Sequence, residues 1–301
     1  MNRMIKIMTA LMLFAFTLEA QDAGKSGMAF LKIGSGARNI SMGDIGSVIS
    51  NDVTAVYYNP ANLAAVSANE VFVSHNEWIQ DTRSELVAAK FSLLGLSWGA
   101  AINSTKISGI QVRENPGAAI TEVSWQYFMG SLSAAKTFGD KLTAGATIKY
   151  LYEGILSDDA TGYAFDLGAS YVLTSDIRLA LAVRNIGSMN ELRAKSTVLP
   201  TDIRLGAVYT SDILKSSKVD LTGGIEIQKY TAQDDIHING GVEGVYDNLL
   251  AVRIGYQTMY ESKGITAGAG LRWGIINFDY AINPFSRNLG SSHIVSLKIT
   301  F

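Results

Sequence analysis

The 301-residue sequence contains no cysteine, which excludes disulfides, thiolate nucleophiles and cysteine-ligated metal together. Histidine is almost as scarce. His75, His237 and His293 are the whole set, and none has metal-ligand spacing to another. No metal and no cofactor is expected. No Ser/His/acid arrangement is visible, such triads being defined by geometry rather than order. "GSGARN" opens like a phosphate loop but lacks the preceding strand and the full spacing. Catalysis is therefore not expected. Charged residues are few, 17% against roughly a quarter in soluble proteins. The net charge is −2 with no basic patch, so nucleic acid is not an expected partner. Past the amino terminus no apolar run reaches the roughly 18 residues of a spanning helix.

What is present is alternation. "KLTAGATIKYLY" places Leu142, Ala144, Ala146, Ile148 and Tyr150 on one face, with Thr143, Gly145, Thr147 and Lys149 on the other. "GYAFDLGASYVL" repeats the pattern and turns Asp166, Gly168 and Ser170 inward. "DLTGGIEIQKY", "IHINGGVEGVY", "LLAVRIGYQ" and "ITAGAGLRW" follow it too. Such stretches run about ten residues, the length of a tilted membrane strand. Fourteen are expected, starting near Asn69, Arg83, Leu94, Thr121, Lys141, Thr161, Ile177, Thr201, Lys218, Asp235, Leu249, Gly264, Ile276 and His293. Their connections alternate between short ("FGDK", "YDN", "WGI") and longer ("TKISGIQVRENPGAAI", "EGILSDDAT", "SMNELRAKSTVLP"), as periplasmic turns and external loops do. "DILKSSK" is long for its place in that alternation. Trp98, Tyr150, Trp273 and Tyr280 sit near strand ends, like an aromatic girdle.

The expected fold is all-β: an antiparallel transmembrane barrel of about fourteen strands over 69–301, with a short amino-terminal hatch of small helices in its lumen over 21–68. Residues 1–20 read as a signal peptide. Arg3 and Lys6 precede the apolar run "IMTALMLFAFTLEA", which ends in the small Ala20. The hatch is rich in Gly, Ala and Ser, and "NDVTAVYYNPANLAAV" suits two short helices about a turn at Asn59-Pro60. The outer membrane is the expected location, and its lipid an expected partner. The 29 glycines are concentrated in strands and suggest places where the wall bends.

Four stretches together resemble one superfamily. "FLKIGSGARNISMGDIGSVISNDVTAVYYNPANLA" resembles the hatch of FadL-like barrels through Gly36, Ala37 and Arg38, then Met42 and Gly43, then Tyr58, Asn59, Pro60 and Ala61. "LAVRNIG" resembles their mid-barrel strand end, and "LPTDIRLGAVY" the following strand entry. "FDYAINPF" with "LGSSHIVSLKITF" resembles their carboxy-terminal hairpin. The closest pattern is the PorV/PorQ family. That resemblance implies a protein-binding component of type IX secretion, with cargo carboxy-terminal signal domains or translocon subunits as partners. The superfamily implies the alternative, a FadL-like channel for hydrophobic small molecules. A purely structural barrel is the third reading. Val295, Leu297, Ile299 and Phe301 have the form of the signal read by the barrel-assembly machinery.

The candidate site residues are the hatch motif and the lumen charges. Arg38 has four possible partners in Asp166, Glu226, Glu243 and Asp279. Arg178, Arg184, Arg204, Arg253 and Arg272 are expected to face these acids across the lumen, either tuning passage or bracing each other. His237 and Glu243 are candidates to share a lumen face.

Overall fold

Residue by residue, the computed structural model describes 26–211 and 214–301, and fourteen long strands close into a barrel. The first seven are β1 Glu70–Glu77, β2 Thr82–Leu93, β3 Leu96–Val112, β4 Thr121–Phe138, β5 Leu142–Ile155, β6 Asp158–Val172 and β7 Ile177–Met189. A small hairpin, β8 Glu191–Leu192 with β9 Lys195–Ser196, lies in the connection that follows. The barrel resumes with β10 Asp202–Ser211, β11 Val219–Tyr230, β12 Ile236–Tyr246, β13 Leu250–Gln257, β14 Ile265–Trp273, β15 Ile276–Pro284 and β16 Ser291–Thr300. Every neighbouring pair is antiparallel. The ring is sealed by β1 on β16, with Val73 opposite Leu297 and Asn69 exchanging backbone hydrogen bonds with Phe301. Closure leaves no unpaired edge.

The alternation read from the sequence is the physical cause. Outward residues such as Ile148, Leu167, Val252 and Ile254 are exposed, while their neighbours Lys149, Asp166, Arg253 and Gly255 point into the lumen. Trp98, Tyr150, Trp273 and Tyr280 all face outward, and so do Val295, Leu297, Ile299 and Phe301. Among the described residues no helix is long and apolar enough to cross a membrane. The strands begin within three residues of the expected starts. Two connections differ from expectation. The fifth is a tight turn at 156–157, because β5 and β6 pair out to Ile155 opposite Asp158. The third shrinks to 113–120, because β3 runs on to Val112. The signal-peptide reading lies outside the described residues.

Residues 26–68 fill the lumen. They form 3₁₀ turns at Ala29–Lys32 and Pro60–Ala65 and short helices α1 Ala37–Ser41, α2 Gly46–Ile49 and α3 Ala55–Tyr58. This hatch begins near the longer loops, where the Gly27 amide donates to the Val198 carbonyl, and leaves at the short-turn end to enter β1. Barrels of this kind place short turns in the periplasm. A large apolar cluster, including Phe30, Val56, Leu63, Phe72, Leu86, Met129 and Leu151, joins the hatch to the wall around β1–β6.

The inward glycines have a different role from the bending expected of them. Eight strands each turn one glycine onto the hatch: Gly99, Gly145, Gly168, Gly206, Gly224, Gly241, Gly255 and Gly268. A Cβ at Gly145 would lie 2.6 Å from the Pro60 carbonyl carbon, and one at Gly241 would lie 2.5 Å from the Met42 oxygen. The wall is glycine-rich because the hatch backbone runs against it. Among the described residues the register shifts at two bulges. On β3, Ser108 and Gly109 together oppose one residue of β4, with Gly109 at φ 70°. On β7, Arg184 and Asn185 together oppose Asp166, with Asn185 at φ 57°.

The belt predicts a face-specific effect. Gly241→Val should cost about 1–3 kcal/mol by overpacking and raise protease access to the hatch. Gly223→Val, on the outer face with no atom nearer than 4.0 Å to the new Cβ, should leave both unchanged. Denaturant unfolding in detergent and limited proteolysis measure the difference.

Candidate functional site: the hatch and the lumen

One carboxylate organises the middle of the lumen. Asp202, at the entry of β10, accepts from Arg184 Nε and Nη2 at 2.9 and 2.8 Å, from Arg204 Nε at 2.9 Å and from Gln228 Nε2 at 2.6 Å. All four residues are almost fully buried. Arg204 also donates to Glu226 Oε1 at 2.9 Å and to the hatch carbonyl of Asp44 at 3.1 Å. Glu226 accepts from the Ser47 amide at 3.1 Å and from its hydroxyl. The Tyr58 ring lies beside both guanidinium groups, 5.8 Å from Arg184 and 5.7 Å from Arg204. Its hydroxyl donates to Asp44 at 2.6 Å. Burial and the Asp44 charge push that hydroxyl's pKa well above 10.0, so it stays a donor. The β7 bulge makes this cluster possible, because it turns both Arg184 and Asn185 inward. The Asn185 amide then donates to Asp166 at 2.8 Å, and Lys149 bridges Asp166 at 2.6 Å and Asn185 Oδ1 at 2.8 Å.

A second network closes the short-turn end. Of its four possible partners Arg38 takes Glu243, bidentately, at 3.0 and 2.9 Å. Glu243 is shared with Arg253, which reaches Asp279 at 2.6 Å, while Arg272 stands 3.9 Å from Glu243 and is more exposed. Nearby, Lys298 on the last strand pairs with Asp52 of the hatch at 2.8 Å and with Glu70 at 3.4 Å. Burial works to raise the pKa of Asp52, and Lys298 and Arg38 outweigh it, so the carboxyl is held well below the usual range. The stability it contributes is complete above the ordinary carboxylate pKa of 3.8 and is lost only as the pH falls below that. A cavity of about 500 Å³, lined by Arg38, Asp52, Arg253, Arg272, Asp279 and Lys298 among others, opens here.

The remaining motif residues fix the hatch backbone. Gly36 and Gly43 adopt φ of 81° and 75°, open to glycine without strain. The Ala37 amide donates to Ser296 Oγ at 2.8 Å, and the Gly43 amide donates to Thr266 Oγ1 at 3.1 Å. Met42 is buried against Ile45, Val48 and Val208. Asn59 caps the turn that Pro60 opens, its Oδ1 accepting from the Ala61 amide at 3.1 Å, and its Nδ2 donates to Ser47 at 3.1 Å and to Ala169 of the wall at 3.3 Å.

At the loop end the chemistry changes. A cavity of about 200 Å³ is lined by Phe30, Ile33, Trp78, Ile79, Ile107 and Tyr127, with Thr82 and Thr105 among its few polar neighbours. Phe30 stacks on Tyr127 at 5.2 Å, and Tyr127 on Trp125 at 5.8 Å. Ile107 is the last regular residue before the β3 bulge, so this pocket abuts the bent part of the wall. His237 shares the inner face of β12 with Glu243, as expected, without touching it. It stacks on Tyr260 at 3.8 Å. His75 and His293 face outward, with Glu85 and Tyr280 as their partners. Among the described residues no three His, Asp or Glu gather to hold a metal.

No protein-family model matches the chain. No curated protein matches it. Solved structures do. The toluene transporter TbuX of Ralstonia pickettii covers 89% of this chain with 97% of its own, at 13% identity and a TM-score of 0.62. The toluene transporter TodX of P. putida covers 89% with 99% of its own, at 13% and 0.63. A FadL homologue of Pseudomonas aeruginosa covers 89% with 98% of its own, at 11% and 0.56. At such identities the likeness is one of fold. The protein has the FadL-like fold, a closed fourteen-stranded barrel with a hatch inside it, and its place is the outer membrane. The PorV/PorQ pattern within that superfamily is not carried by these structures.

Asp202, Asp44, Asp52 and Lys149 were not among the candidate residues. Asp202 stands two residues before Arg204 on the same inward face, and that spacing was the available signal. Asp202→Asn should leave the buried Arg184 guanidinium without a counter-charge, while Arg204 keeps Glu226, at a cost of about 3–5 kcal/mol. Arg272→Gln, at the open rim, should cost less than about 1 kcal/mol. Unfolding midpoints of the two variants in detergent check the ranking.

Proposed function

We propose that the protein is an outer-membrane channel for hydrophobic small molecules. The observation that carries this reading is the apolar pocket at the loop end, set against the β3 bulge and above an ion-paired lumen. A hydrophobic solute entering from outside meets aromatic and aliphatic surface first. Straight ahead it would meet the Asp202 and Glu243 networks, where desolvating paired charges for an apolar guest is unfavourable. The bulge at Ser108-Gly109 offers the other direction, sideways through the wall. The pocket's volume, about 200 Å³, suits a molecule of one ring, since a dry cavity of roughly 150 Å³ holds benzene. Structures of similar fold are described as toluene transporters and as a monoaromatic hydrocarbon channel, which supports the same reading.

The protein-binding role in type IX secretion has the sequence resemblance behind it and no structural comparison. The external connections offer little surface for cargo, with 156–157 a tight turn and the small β8–β9 hairpin the one element in them among the described residues.

Toluene added to the purified barrel in detergent should change the emission of Trp78, which lines the pocket, and of Trp125, which stacks beside it. Phe30→Ala should weaken that binding about fivefold, the scale of one aromatic contact of about 1 kcal/mol. In cells, deletion should lower uptake of such compounds and the wild-type gene should restore it. Unchanged uptake together with no fluorescence response removes the channel reading.

A further inference from the structure

Five of the six arginines that face the lumen meet an acid. Arg38, Arg184, Arg204, Arg253 and Arg272 each have a carboxylate within 4 Å. Arg178, on β7 next to the 173–176 turn, is the exception among the described residues. Its one protein hydrogen bond runs from Nη2 to the Val48 carbonyl of the hatch at 2.8 Å, and its buried Nε has no partner. A half-buried guanidinium whose Nε is shut off from water without a counter-charge is unfavourable, and the other lumen arginines are each supplied with one.

The space beside it is built to take one. A cavity of about 190 Å³ lies at the short-turn end, with Arg178 and Arg38 both in its lining. The Thr174, Thr210 and Thr222 side chains also line it, three hydroxyls able to donate. Asp176 is the one acidic lining residue, and its carboxylate accepts from the neighbouring Ser175 hydroxyl at 2.7 Å. Arg38 is committed to Glu243 through Nε and Nη2 and to the Ile49 carbonyl through Nη1, so it lines the cavity with its own charge already met. An unmet guanidinium edge and a set of hydroxyls around a volume of this size are the donor set for a small oxyanion.

We infer that this cavity is a binding site for a singly or doubly charged oxyanion, phosphate-like in chemistry, reached from the periplasmic end of the lumen. The anion completes the ion pairing of Arg178 and joins the β6–β7 turn to the hatch at Val48. Its source is either free phosphate or the phosphate of an anionic phospholipid headgroup. The site is separate from the apolar pocket at the loop end and does not depend on the channel reading.

The test uses the full chain purified in detergent. Titration calorimetry with inorganic phosphate is run on wild type and Arg178→Gln, with unheated gel mobility confirming that both barrels are folded. In parallel, native mass spectrometry records phosphatidylglycerol retained by each. Saturable phosphate binding, weakened tenfold or more in Arg178→Gln, supports the site with a free anion as ligand. No phosphate binding, but retained phosphatidylglycerol that is lost in Arg178→Gln, supports it with the lipid as source. Neither ligand bound by wild type, or equal binding by the two proteins, overturns it.

Discussion

Two arginines share one buried carboxylate at the centre of this barrel, and the rest of the lumen is arranged around that sharing. Asp202 comes from the strand entry after the longest external connection. Arg184 arrives from the preceding strand by way of a bulge, and Arg204 follows two residues later on the same face. Asp202 and Glu226 balance these two arginines within the wall, and the hatch adds Asp44 beside Arg204. Across the boundary between wall and hatch, Arg38 needs Glu243 and Lys298 needs Asp52. A charge left without its partner in this interior is costly enough to matter against a marginal folding free energy.

Steric fit makes the same point in another way. The glycines that face inward leave the lumen wide where the hatch backbone passes, and the apolar cluster on the β1–β6 side fills the rest. The hatch motif is the complement of this wall. Gly36 and Gly43 supply turns, Arg38 and Asp44 carry the charge contacts, and Asn59 ties a cap to a wall carbonyl. The lumen is thus graded along its axis, aromatic and aliphatic near the loops and ionic towards the periplasm. On the channel reading proposed above, that gradient gives a hydrophobic molecule a reason to stop high in the barrel.

The strands were legible because lipid and lumen impose opposite demands on alternate residues, and Ile148 beside Lys149 shows both demands at once. The hatch was legible through spaced residues that a turn or a cap requires. What did not show is equally physical. The partner of Arg38 depends on which strand faces α1, and four acids satisfied the sequence equally until Glu243 was placed beside it. Asp202 was hidden because its main partner crosses from another strand at a bulge, and Asn185 at φ 57° breaks the period that alternation relies on. The glycines were visible but ambiguous, since hinge and clearance look alike in one dimension. The 156–157 turn was hidden for a related reason, as Asp158, Asp159 and Thr161 read as loop while they pair as strand.

Lys298 and Ser296 lie on the strand that seals the barrel, and both hold the hatch, through Asp52 and the Ala37 amide, across 246 and 259 residues of chain. These are among the most distant contacts the chain can make, so they form late if topology governs the order of events. The seam between β1 and β16 and the seating of the hatch are then one step. A barrel that zips shut with the hatch misplaced would trap it outside a wall already complete, with Asp52 and Lys298 on opposite sides. Sealing thereby doubles as proofreading: the last strand finds its full set of partners only when the lumen is already correctly occupied.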